Sequence, residues 1–85
     1  MRLDKYLKIS RLIKRRTVAK ELADQGRVDI NGQPGKASSG VAVGDVLTLH
    51  FGQKPMVVRV LLLKETVKKE EAASLYEVIN DPPSN

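Results

Sequence analysis

The apolar positions of this chain follow a helical spacing up to Gly26 and a two-residue alternation beyond it, and this change of period sets the order of the elements. On a projection of about 100° per residue, Leu3, Tyr6 and Leu7 share one side of a first helix, while Arg2, Lys5 and Lys8 share the other. Continued unbroken, that helix would turn Ile9 and Leu12 onto the basic side, so it is expected to end near Ser10. Residues 10–14 then read as a short connector with Leu12 and Ile13 as plugs. In a second helix Val18, Ala19, Leu22 and Ala23 form the buried stripe, and Gly26 stands where a left-handed C-terminal cap belongs. The outer face of that helix, Lys20, Glu21 and Asp24, is mixed in charge.

In the alternating part, Val28 and Ile30 face one way, Arg27 and Asp29 the other, and Asn31-Gly32 signals a tight turn. Gln33 to Gly40, rich in Gly, Pro and Ser, is expected to be loop with short extended pieces. Val41 and Val43 lead to a turn at Gly44-Asp45, after which Leu47, Leu49 and Phe51 alternate with Thr48 and His50. Gly52 to Pro55 closes a hairpin onto a strand from Met56 to Leu63. Lys68 to Glu71 is a solvated charge cluster, and Ala72, Leu75, Tyr76 and Ile79 have the spacing of one helical face that packs back on the sheet. With no repeat and no linker, the pattern predicts a single domain over residues 1–80 and a frayed tail over 81–85.

Charge is distributed unevenly over these elements. Residues 1–36 hold ten basic and four acidic side chains, whereas the remainder holds five basic and six acidic, so the net charge of +5 is concentrated in the two helices and the first turn. A local positive field suits a nucleic acid, an anionic membrane face or an acidic protein, and its segregation favours RNA or DNA. Arg15 and Arg16 crowd the start of the second helix, with Thr17 as the only conventional cap candidate and Lys20 where a capping box would need an acid. That end is either a solvated basic turn or a place for a phosphate.

Chemistry of other kinds finds no support. A single His and no Cys argue against a metal site or cofactor, and His50 sits in an ordinary strand pattern with no nucleophile fixed beside it. The acids are scattered among Lys and Arg at spacings that suggest surface pairing, so no catalytic residue is assigned and the chain is read as a non-enzyme. Tyr6, Phe51 and Tyr76, the only rings, all fall on expected core faces, which leaves no stacking platform for single strands. A partner gripped by its sugar-phosphate backbone, as structured RNA is, fits best. The longest apolar run, Val60 to Leu63, is too short to span a bilayer, and Met1 leads straight into charged sequence, which gives the expectation of a cytoplasmic protein without membrane contact.

The segments RLDKYLKISRL, KRRTVAKELADQGRVDING and VAVGDVLTL, in this order, resemble the RNA-binding domain first described in ribosomal protein S-four, over about residues 1–51. With VRVLLLKET and EEAASLYEVI included, the chain is similar to the small stand-alone members related to heat-shock protein fifteen, and most of all to the RqcP (YabO) family. The resemblance implies an α+β fold, with two N-terminal helices packed on a small twisted, mainly antiparallel sheet (the alpha-L RNA-binding motif) and a short C-terminal helix or strand. It implies a monomer that binds obstructed large ribosomal subunits at large-subunit ribosomal RNA and at the anticodon arm of P-site peptidyl-tRNA. With the partner RqcH, such proteins support alanine tailing of stalled nascent chains. Carried onto this chain, the contacts fall first on Arg2 and Arg16, with Lys5, Lys8, Arg11, Arg15 and Lys20 as neighbours and Asn31 and Lys36 further out; Lys14 and Arg27 complete the candidate RNA-binding set. Many members carry Ser or Thr where this chain has Arg15. Two alternatives stay open: a subunit-recycling factor of the heat-shock type, and the accessory domain of an RNA-modifying enzyme. Arg16→Ala is expected at this level to weaken subunit binding with little change in melting temperature.

Overall fold

The computed structural model describes residues 1–79 of the 85-residue chain, and the expected tail over 81–85 lies outside the described residues. Two helices, α1 (Leu3–Ile9) and α2 (Arg16–Asp24), precede four strands, β1 (Val28–Ile30), β2 (Gln33–Pro34), β3 (Val46–Leu49) and β4 (Met56–Val60). A 3-10 helix over Lys69–Leu75 then leads into β5 (Tyr76–Val78). The sheet is antiparallel throughout, in the order β2-β1-β3-β4-β5, so the expected α+β fold is the one observed.

The amphipathic face of α1 makes the centre of the core. Leu3, Tyr6 and Leu7 are fully buried and meet Ala19 and Ala23 of α2, Val28, Leu47, Leu49, Val58 and Val60 of the sheet, and Leu75. The helix stops at Ser10, as its pattern requires, and Ile13 turns into the core as a plug. At the other helix end, the Gly26 amide donates to the Ala23 carbonyl and the Arg27 amide to that of Leu22, with Gly26 at φ +80°: the bond pair of a Schellman cap. Asn31 and Gly32 both have positive φ, which gives the β1-β2 hairpin the turn its strands need.

The loop after β2 ties both helices down. The Ala37 carbonyl accepts from the Asp4 amide at 3.2 Å, and the Ala37 amide donates to the Asp24 carboxylate at 3.0 Å. The Leu3 amide donates to the Ser39 carbonyl and the Val41 amide to that of Met1, so the N-terminus is pinned along this loop. One peptide segment therefore fixes where α1 and α2 sit relative to each other.

Four expectations need correction. Val18 lies at the edge of the α2 stripe and is exposed, because Ala19, Ala23 and half-buried Leu22 already fill the contact with α1 and the sheet. Thr17 caps nothing: Arg15 occupies the N-cap position of α2, and no side chain caps that end. β4 ends at Val60 rather than Leu63, because the amides of Leu61 and Leu62 both turn to the Leu75 carbonyl, at 2.8 and 3.2 Å. The helical face proposed for Ala72, Leu75, Tyr76 and Ile79 divides in two. Ala72 and Leu75 are buried in a 3-10 turn, whose three-residue period aligns them, while Tyr76 begins β5 opposite Val60.

Candidate nucleic-acid interface

Asp4 is the acid on which the two leading candidates, Arg2 and Arg16, converge. Its side chain is on the first turn of α1, where a carboxylate complements the helix dipole, and the Lys5 amide donates to its Oδ1 at 2.8 Å. Arg2, just before the helix, approaches it with Nε 3.1 Å from Oδ1 and Nη2 3.4 Å from Oδ2. Arg16, the first residue of α2, comes from the other side with Nε 3.3 Å from Oδ2. The carboxylate is 4% exposed while both guanidinium side chains are about half exposed, at 50% and 48%. One buried acid thus holds two arginines from separate elements with their outer edges in solvent, and the trio keeps a net positive charge. Burial works to raise the Asp4 pKa, but the bonds from Arg16, Arg2 and the Lys5 amide outweigh it and hold the carboxyl below its ordinary value. This corrects the expectation that the acids pair on the surface: Asp4 is buried.

Next to this trio is a cleft of roughly 380 Å³ between α1 and the segment that follows β4. Lys5, Lys8, Arg11 and Arg16 line it together with Ile9, Glu65, Thr66 and Val67. The Lys5 ammonium pairs across it with Glu65 Oε1, and this contact holds the Glu65 carboxyl below its ordinary pKa. Arg11 is at the position after the α1 C-cap with φ +63°, a left-handed conformation usually left to glycine, and its amide donates to the Lys8 carbonyl. The α1 C-terminus thus spends backbone strain on a residue whose side chain lines the cleft.

The remaining candidates lie outside the cleft lining. Lys14 and Arg15 are exposed on the connector into α2. Lys20 lines a shallow depression with Thr17, Glu21, Asp24 and Gln25, and Arg27 is exposed after the Schellman cap. Lys36 is exposed at a turn where its amide donates to the Ser39 hydroxyl. Asn31 is engaged within the fold: its Nδ2 donates to Asp45 at 3.2 Å, and its Oδ1 accepts from the Val46 amide at 2.9 Å. Sequence reasoning missed Asp4 and Glu65. The first was visible only as part of RLDK, and nothing in the linear pattern joins residue 65 to residue 5.

The rings are engaged internally. Tyr6 is buried, donates to the Leu75 carbonyl at 2.8 Å, and has its phenol pKa pushed up by burial. Phe51 and Tyr76 are half-buried against the core. His50 Nε2 lies 2.9 Å from Asp29 Oδ2 on the sheet surface. Among the described residues no cluster of His, Asp or Glu is arranged to hold a metal, and no helix is long and apolar enough to cross a membrane.

Residues 1–47 match the family described as S4 domain. The RQC P-site tRNA stabilizing factor of Bacillus subtilis is 63% identical over 81 residues, which are 95% of this chain and 94% of that protein. Heat shock protein 15 of Escherichia coli is 40% identical over 78 residues, covering 91% of this chain and 59% of that protein. The solved trimeric structure of heat shock protein 15 from Vibrio cholerae superposes with a TM-score of 0.84 at 32% identity, covering 92% of this chain and 80% of that one.

Proposed function

The chain belongs to the S4 domain family, within the branch of RQC P-site tRNA stabilizing factors, and from that premise we propose that it is a non-enzymatic RNA-binding factor of ribosome-associated quality control. In this reading it acts in the cytoplasm as a monomer. It binds large ribosomal subunits obstructed by peptidyl-tRNA, bridges large-subunit ribosomal RNA and the anticodon arm of the P-site tRNA, and supports RqcH-dependent alanine tailing. The observation that carries the reading is the Asp4 trio: half-exposed Arg2 and Arg16 are held on either side of one buried carboxylate, and Arg16 also lines the cleft with Lys5, Lys8 and Arg11. Such a surface offers fixed, forked donors to phosphate oxygens while the sheet behind it supplies rigidity. A subunit-recycling role is less well supported, since the Bacillus subtilis relative is 63% identical to this chain and the Escherichia coli heat-shock one 40%.

Co-sedimentation with large subunits carrying peptidyl-tRNA, over a salt series, tests this. Each phosphate engaged adds about 0.7–0.9 to the magnitude of the log-log salt slope, so a five- or six-contact interface gives a steep one. Arg16→Ala should reduce both binding and slope. Equal binding by that variant, or preferential flotation of the wild type with anionic liposomes, would overturn the proposal.

A further inference from the structure

The cleft between α1 and residues 65–67 has features that backbone contact alone does not call for. A helix of paired RNA presents its phosphates on a convex surface, and a cation needs no cavity to reach them. Here the volume, roughly 380 Å³, falls within the range of small-molecule sites, about 300–1,000 Å³, and so exceeds what a lone phosphate needs. Half-buried Ile9 and Val67 give the lining an apolar part. An acid, Glu65, stands in it among four cations, and it is an acceptor for which a phosphate has no use but a base edge has. Lys5 bonds to its Oε1, which keeps the group ionised and leaves Oε2 as an acceptor.

We propose that this cleft takes one unpaired nucleotide of the bound RNA, with its phosphate on Arg11 and Arg16, its base against Ile9 and Val67, and a base-edge donor on Glu65. The proposal rests on the RNA-binding reading and names what that surface selects. A carboxylate accepts from the amino groups of cytosine and adenine and from the imino and amino groups of guanine. Uracil presents a single imino donor between two carbonyl acceptors and is disfavoured. Ile9 and Val67 supply the apolar surface against the base in place of an aromatic ring.

The test is fluorescence anisotropy of the full chain with RNA hairpins that are either fully paired or carry one bulged A, C, G or U. Wild type should bind the bulged A, C and G hairpins about tenfold more tightly than the paired one, with bulged U in between. Glu65→Gln, a change at a side chain 75% exposed, should fold normally and bring the four bulges together. Equal binding of bulged and paired hairpins overturns the inference and leaves RNA binding standing. A Glu65→Gln protein that tightens on every hairpin alike also overturns it, because the carboxylate then only competes with phosphate for Lys5. Absence of binding to any hairpin removes the RNA-binding reading as well.

Discussion

Arg16 reaches the Asp4 carboxylate with Nε at 3.3 Å and so joins the start of the second helix to the start of the first, with Arg2 on the opposite side of the same acid. Counting charges and following this geometry lead to opposite expectations for Asp4→Asn. The substitution raises the net charge, which by itself would tighten binding to RNA. It also removes the group that aims both guanidinium forks. The expected outcome is weaker binding to large subunits, together with a loss of about 1–2 kcal/mol in stability, discounted because both arginines are half exposed. Co-sedimentation and thermal unfolding on one preparation decide it, and tighter binding would show that the arginines need no orientation.

Acid should reveal the same acid. A carboxyl whose folded pKa is depressed contributes stability that is fully present above its unfolded value, about 3.9, and is lost as pH falls through the folded value. The melting temperature of wild type should therefore hold on acidification to about pH 4 as far as Asp4 is concerned, and fall below it more steeply than that of Asp4→Asn. Parallel slopes for the two proteins would show that Asp4 is not held below its ordinary pKa.

Removing Arg16 has two consequences, where the linear pattern suggested one. Arg16→Ala takes away a phosphate contact, which should lower the salt slope by about one and weaken subunit binding. It also leaves the buried Asp4 with Arg2 and the Lys5 amide alone, so a stability loss of about 1 kcal/mol is expected. Denaturant unfolding beside the binding series separates the two effects.

Arg11→Gly should separate them in the opposite sense. Glycine relieves the left-handed backbone at φ +63°, for a gain of up to about 1 kcal/mol, while the cleft loses one cation. The variant should melt at or above the wild-type temperature and bind RNA several-fold more weakly. A lower melting temperature would mean that the Arg11 side chain, rather than its backbone, governs stability there.

Legibility of the chain followed the range of the interactions. Leu3, Tyr6 and Leu7, the stop at Ser10, the Gly26 cap and the Asn31-Gly32 turn were readable because each is decided within a few residues, by periodicity or by the sign of φ. The C-terminal segment was not, since Leu75 followed by Tyr76 is compatible with several periods, and the choice between helix and strand is made by pairing with β4. At the basic face the list of cations came from the sequence. Which of them gather did not, because the gathering depends on Asp4 being buried between two helices and on Glu65 crossing sixty positions to reach Lys5.

Tyr6 and the amides of Leu61 and Leu62 share the Leu75 carbonyl, so α1, the segment after β4 and the end of the 3-10 helix close on a single atom. Sixty-nine positions separate Tyr6 from Leu75, so during synthesis α1 has no such partner until the whole segment between them has followed. A copy whose own synthesis halts before that carbonyl therefore has α1 without its clasp.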